Sequence, residues 1–384
     1  MKLTLILIFS VFSLLSQIQQ ADPPAGKDSG MPYFANGPDG SLYASWIDNL
    51  AEQGHALRYA RWNDTAWGKP ETIAQGKGWF VNWADFPSIA VLPDGSMMAH
   101  WLTRNATGGK YGYGIRIAKK SANTNQWREV HSMSLDQKED YAGFLTFLPN
   151  SASAVYLGPT GEGEHRKTVR FVSFSLDGSV SKDRQLDGDV CSCCQTAIGA
   201  SSKGLIAAYR DHLPGEIRDI AITRQIDGVW SQPKTLNPDG WKINGCPTDG
   251  PSIASRNNEV GITWLTRAQE KPRIQIAISR DAGATFPKLL RVDDGNPLGR
   301  PSLTALDNDK YLAVWLEKSI DDKVEIRVRK ISVDGTKSPS ILIATAPRGR
   351  AAGVPKLAVV GRQVLVAWRD GHVRTVLLHQ NQIP

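Results

Sequence analysis

The chain has 384 residues, 45 Lys and Arg against 38 Asp and Glu, and a formal charge of +7. Its basic residues are scattered without runs, which excludes the clustered electrostatic footprint of a nucleic-acid partner and leaves a mild preference for acidic ligands. Only residues 3–15 form a long apolar run, and it falls short of the about 20 residues a membrane helix needs.

From the N terminus, Met1-Lys2, the apolar run and the small residue of Gln19-Gln20-Ala21 lay out a secretory signal peptide over residues 1–21. One domain is expected over residues 22–384, secreted or periplasmic, with no membrane association beyond the leader; an uncleaved anchor is the alternative. The absence of Cys near the cut argues against a lipid-anchored precursor.

Beyond the leader the sequence repeats. Apolar, strand-like runs end in an aromatic residue at Trp46, Trp101, Tyr156, Tyr209, Trp264, Trp315 and Trp368, in steps of 51 to 55 residues. Each closes a two-strand unit of the kind Phe86 to Leu92, Pro93-Asp94-Gly95, Ser96 to Trp101, where Asp-Gly tolerates the positive φ of a hairpin turn. A second hairpin follows in the first six copies, as in Ile220-Ala221-Ile222 leading through Asp227-Gly228 to Trp230. Four strands in every copy make a propeller blade, whose apolar faces are buried only against neighbouring blades. The fold expected is all-β, a propeller of seven blades. The seventh copy lacks a fourth strand, which the residues before Met31 are placed to supply; a six-bladed ring with an extra partial unit is the alternative.

The fifth copy contains Ser279-Arg280-Asp281-Ala282-Gly283-Ala284-Thr285-Phe286, which fits Ser-x-Asp-x-Gly-x-Thr-aromatic, the Asp box. Asp281 is placed to accept backbone N–H bonds across the turn, Gly283 to supply an unusual dihedral and Phe286 to tuck between sheets. Degenerate versions fall at the same phase, among them Asp64 to Trp67, Asn123 to Trp127 and Asp334-Gly335. On these residues the whole chain after the leader resembles the sialidase-like, Asp-box (BNR) repeat propellers. Residues 191–286 are especially similar to secreted bacterial proteins called exo-α-sialidases. The resemblance implies a glycan-directed propeller, with the Asp box away from the active face. One departure is plain: sialidases carry an Arg in a Phe-Arg-Ile-Pro motif near the start, whereas Met31-Pro32-Tyr33-Phe34 at that phase has none.

In a propeller the loops into the first strand and out of the second share one face. The densest stretch on that face is residues 209–219, where Arg210, Asp211, Glu216, Arg218 and Asp219 put two arginines beside three carboxylates. Guanidinium forks suit an anionic substrate, and a carboxylate pair suits acid–base work on a glycosidic bond. Arg210, Asp211, Glu216, Arg218 and Asp249 are therefore the candidate catalytic residues, against the alternative of interblade ion pairing. Arg267 and Arg300, at matching phases, would complete an anion clamp with Arg210. Trp241 is a candidate platform for a sugar ring, as are Trp79 and Trp83. His212 stands out among the seven histidines because it lies inside the dense loop, and none of them has metal-ligand spacing. Asn63-Asp64-Thr65 and Asn105-Ala106-Thr107 are glycosylation sequons.

All four cysteines, Cys191, Cys193, Cys194 and Cys246, fall in the incoming loops of two adjacent blades. In an oxidising compartment they suggest two disulfides, one joining Cys246 to the 191–194 loop and a strained one within it. The alternative is a thiolate site for copper or zinc, though the paired Cys-x-x-Cys spacing usual for zinc is absent. No cofactor is required by the rest of the sequence. Three functions follow: a glycoside hydrolase of sialidase type acting on an acidic glycan, a non-catalytic glycan- or protein-binding propeller, and a cysteine-centred metal or redox protein.

Overall fold

The computed structural model describes residues 18–105, 109, 112–134, 141–160, 166–307 and 309–384. The apolar run of the expected leader, Ala106 and Thr107 of the second sequon, and His165 lie outside them. The described residues form seven antiparallel sheets in a ring: blade 1 over residues 29–76, blade 2 over 89–133, blade 3 over 143–191, blade 4 over 197–235, blade 5 over 252–291, blade 6 over 297–346 and blade 7 over 356–379. Each has four strands, and blade 4 has its outer strand broken into Val229–Trp230 and Lys234–Thr235.

The repeat has a direct physical basis. All seven periodic aromatics sit on second strands and are buried. The polar edge of a buried Trp or Tyr needs a partner, and several reach a carboxylate: Trp264 Nε1 donates to Asp239 at 2.7 Å and Tyr209 Oη to Asp187 at 2.8 Å. The tight turns behave as their residues dictate. In Asp94-Gly95 the carboxylate accepts the Ser96 N–H at 2.9 Å while Gly95 takes φ 80°. Apolar clusters run between blades as well as within them: Ile206, Ala208 and Ile222 of blade 4 pack with Val260, Ile262 and Trp264 of blade 5. A single blade therefore has no complete core, and the ring is the smallest unit that buries every sheet face.

The seventh sheet decides the blade number. Lys356–Val360, Gln363–Asp370 and His372–His379 supply three strands, and Gln19–Gln20 adds the fourth, with Gln19 opposite Leu377 and Gln20 opposite Val376. The contact continues beyond the strand: Ala21 N donates to Thr375 O at 2.8 Å, and the Asp22 carboxylate accepts the Thr375 N–H at 2.6 Å and pairs with Arg374 at 2.9 Å. The closing strand thus lies on the N-terminal side of the expected cut, and Asp22 holds the same edge from the other side.

Candidate functional site

The first strands line an axial channel of about 550 Å³, within the usual range for a small-ligand site. Its lining carries two cations, Arg300 and Lys356, and no carboxylate. Lys356 lies over the Phe86 ring at 3.8 Å, and burial pushes its ammonium down to about 7.

Two aspartates shape the channel mouth by the same device. Asp85, before blade 2, accepts the Phe144 N–H of blade 3 at 2.7 Å; Asp249, before blade 5, accepts the Arg300 N–H of blade 6 at 2.7 Å. Both receiving strands bulge there, with Phe144 at φ 53° and Arg300 at φ 59°. The preceding Gly143 and Gly299 leave room for the carboxylates, since a Cβ would stand 2.2 and 2.1 Å from them. Burial pushes the Asp85 carboxyl up to about 7, against the hydrogen bonds from Phe144 N–H and the Tyr113 hydroxyl, and that of Asp249 up to about 6. Asp249 differs in one respect: its Oδ1 is buried without a hydrogen-bond partner, and Arg210, Arg300 and Arg267 all stand within electrostatic reach.

Around blades 5 to 7 and blade 1 the mouth is cationic. The Arg300 guanidinium stacks on Trp83 at 4.1 Å and donates to Gly353 O at 2.6 Å. Burial, and to a smaller degree the neighbouring charge of Arg350, lowers its pKa. Trp83 also borders a second hollow of about 480 Å³, lined by Arg350, Arg369, His55 and Asp28. Arg267, on the outgoing loop of blade 5, is exposed. Trp83 is the one of the three candidate platforms that reaches the surface here. Trp79 is buried against Trp101, and Trp241 is buried beneath Arg210 at 4.7 Å, so neither is free to stack on a sugar.

The dense loop is closed on itself. Arg210 is 1% exposed and spends its guanidinium on backbone carbonyls: Asp249 O at 3.0 and 2.8 Å, Arg218 O at 2.6 Å and Leu265 O at 2.8 Å. It ties blade 4 to blade 5, and the clamp expected from Arg210, Arg267 and Arg300 does not form. Asp219 caps the backbone N–H groups of Gly240 and Trp241 at 2.8 and 2.9 Å. Arg218 pairs with Glu216 at 2.7 Å, and His212 spans Asp189 at 2.9 Å and Glu216 at 3.5 Å. Asp211 accepts the His212 N–H at 2.8 Å, and burial, then Asp187, raises its carboxyl to about 6. These residues are brought together as expected, but mostly to satisfy one another.

The cysteines do converge, at distances that no disulfide spans. Cys191 Sγ stands 3.8 Å from Cys193 Sγ and 3.7 Å from Cys194 Sγ, and all four cysteines are free. Cys191 and Cys194 are buried, Cys193 is half-buried and Cys246 is exposed. Beside them Phe80, Tyr113 and Tyr141 stack at 3.9 and 4.6 Å, and the Lys167 ammonium lies 3.8 Å from the Tyr141 ring. The turn over residues 279–286 lies at the far end of its blade. Asp281 accepts the Thr285 N–H at 2.9 Å, Ser279 Oγ donates to Asp281 at 2.7 Å, Gly283 takes φ 77° and Phe286 packs between blades 4 and 5.

No protein-family model matches the sequence, nor does that of any curated protein. Solved structures do. An ulvan lyase, described as a new polysaccharide lyase family PL25, superposes with TM-score 0.56 over 96% of this chain and 98% of its own, at 11% identity. A GH93 α-L-arabinofuranosidase of Fusarium graminearum, in complex with arabinobiose, gives 0.52 over 95% and 98%, at 12% identity. A Hadza microbial sialidase gives 0.47 over 93% of this chain and 66% of its own, at 14% identity. What the ulvan lyase and the arabinofuranosidase share with the chain is the ring.

Arg350 and Lys356, which complete the cationic side, were missed in the sequence. Both fall in or just after the incoming loop of blade 7, so the phase rule that collected the other candidates reaches them too. The ring stack of Phe80, Tyr113 and Tyr141 joins an incoming loop, a third strand and another incoming loop, a combination that no strand period announces.

Proposed function

We propose that this is an exported propeller that binds an acidic glycan across the channel mouth, with Arg267, Arg300, Arg350, Arg369 and Lys356 facing its anionic groups and Trp83 under a sugar ring. The observation that carries this is the charge of the cavities themselves: a channel lined by Arg300 and Lys356 and no carboxylate, and, beside the Arg300–Trp83 stack, a hollow lined by Arg350 and Arg369, with Asp28 3.5 Å from Arg369 as its one carboxylate. Guanidinium groups bind carboxylate or sulfate by charge-assisted, often bidentate bonds, and an aromatic face takes the apolar side of a sugar. The ulvan lyase and the arabinofuranosidase, both carbohydrate-directed by name, support a glycan as the ligand.

A catalytic reading has one observation in its favour, the unpartnered Asp249 Oδ1 on a carboxyl held near 6 among arginines. A group poised there exchanges protons near neutral pH, as a general acid or base must.

Calorimetry with a uronate- or sulfate-bearing oligosaccharide and its neutral counterpart tests the proposal. Arg350→Ala and Arg369→Ala should each weaken the acidic ligand about ten- to hundredfold, from about 1.5–3 kcal/mol per charge-assisted contact. Equal affinity for the neutral sugar, or indifference to both substitutions, would end it. Cleavage of the ligand that vanishes in Asp249→Asn would make the protein an enzyme; binding without cleavage would leave it a lectin-like ring.

A further inference from the structure

We infer that Cys191, Cys193 and Cys194 form a three-thiolate site for copper(I), with Cys246 as a fourth, solvent-side sulfur through which the ion enters and leaves. This goes beyond the glycan reading and does not depend on it.

The three sulfurs lie within 4.8 Å of one another, and two of the separations are 3.7 and 3.8 Å. Thiolates bound to one ion at about 2.3 Å sit about 3.8–4.0 Å apart, whereas a disulfide needs about 2.05 Å. Bridging Cys193 to its neighbour Cys194, or to Cys191 two residues away, would strain the loop. Cys246 stands outside the close trio yet within hydrogen-bonding reach of Cys193. That leaves a trigonal, all-sulfur inner set, the kind that selects a soft monovalent ion over a hard one.

The surroundings fit the charge. Three thiolates and Cu⁺ carry a net −2, and two buried guanidinium groups stand next to them. Arg218 reaches Cys191, and its Nε has no nitrogen or oxygen partner; Arg210 acts on Cys194. Arg218 also pairs with Glu216 at 2.7 Å, so its charge is shared between that carboxylate and the sulfurs. The loop is also held in place before any ion arrives. The Tyr141 hydroxyl donates to Ser192 O, and the Gln195 side chain ties the loop to Ala84 O at 2.7 Å and to Gly250 N at 2.8 Å. Binding needs no change of oxidation state: three thiols release up to three protons as three Cu–S bonds form.

The test is anaerobic titration of the full, reduced protein with copper(I) supplied as its bicinchoninate complex. The expected result is one Cu(I) withdrawn per chain, with three sulfur neighbours by X-ray absorption. Cys194→Ser should abolish the one-to-one uptake. If that variant fails to fold, Cys193→Ser, at a half-buried position, gives the same readout. Cys246→Ser should keep the stoichiometry and slow exchange with the chelator. Arg218→Ala should weaken copper about 10–100-fold, the usual cost of losing an outer partner. No copper uptake despite four titratable thiols would overturn the site. So would displacement of copper by equimolar zinc, unchanged uptake in Cys193→Ser, or native protein whose mass and thiol count show two disulfides and which takes up no copper after reduction.

Discussion

The channel mouth has two unlike sides. Around blades 5 to 7 and blade 1, the arginines are spread along the chain, on exposed or half-buried side chains, next to open volume. Around blades 3 and 4, charges and thiols are crowded into short stretches and are buried against one another. On the sparse side Arg267 and Arg350 stay exposed for a ligand, while Arg369 is partly spent on Asp28 and the Ser29 carbonyl; the crowded side has used most of its charge. Charge density along a sequence therefore measures how well a loop can satisfy itself, and unspent charge has to be found in space.

The sharpest way to break this comparison is Arg210→Ala. If Arg210 is a structural tie, its removal leaves buried carbonyls of Asp249, Arg218 and Leu265 without donors, at about 1–3 kcal/mol each. A loss of at least about 3 kcal/mol in denaturant-unfolding stability is expected, with glycan affinity in the folded fraction unchanged. Intact stability with lost binding would move the site into the dense loop.

The next effect separates the two sides by pH. Asp249 has a folded pKa of about 6, above its unfolded value near 3.8. Between those values the folded state holds more protons than the unfolded one, so this group's contribution to stability falls as pH rises from about 4 to about 6 and stays low above that. Asp249→Asn mimics the protonated carboxyl. Relative to the parent it should gain up to about 3 kcal/mol of stability between pH 4 and pH 8, from a shift of about two pKa units. Ionised Asp249 also opposes an anionic ligand, so acidic-glycan binding should strengthen as pH falls below about 6 in the parent, and the variant should keep only the part contributed by Lys356, which gains its proton near 7. Parallel stability–pH curves for the two proteins would show that the carboxyl ionises as it does in water.

The ring was legible because its physics is periodic. One buried aromatic on each second strand and Asp-Gly turns between strands repeat with the blade, and the missing outer strand of blade 7 could be sought before Met31 because a ring needs closing. That the incoming and outgoing loops share one face was legible too, since strand order alone places those loops together. What a side chain does on that face was not. Arg210 and Arg300 were grouped by phase, yet Arg210 ends the second strand of blade 4 and points into carbonyls, while Arg300 lies on the bulged first strand of blade 6 and points onto Trp83. The cysteine cluster was visible as a cluster, but its chemistry depends on S–S spacing and on the neighbouring guanidinium groups, neither of which a spacing rule contains.

Salt gives a smaller contrast within the binding reading itself. Arg350 and Arg267 are exposed, so their attraction for an anionic glycan is screened over about 8–10 Å at ordinary ionic strength. Raising salt should weaken glycan binding progressively in calorimetry, while copper(I) uptake by the buried thiols stays nearly constant. Equal salt dependence of the two would show that they share one electrostatic site.

The smallest expected effect is the most direct check on the dense loop. Glu216 and Arg218 form a pair at 2.7 Å in which the carboxylate side is well exposed, and such pairs contribute little because water already solvates the charge. Glu216→Gln keeps an acceptor for Arg218 and for His212 at the same length. It should leave the denaturation midpoint, the glycan affinity and any turnover where they were, since no cavity of the cationic side borders it. Its one visible consequence belongs to the thiol side: Arg218, released from a full negative charge, is left to compensate the thiolates more strongly, so copper(I) affinity should rise slightly or hold. A large loss of glycan turnover in Glu216→Gln would mean that the carboxylates of residues 209–219 meet substrate after all, and that the two sides of the mouth act as one site.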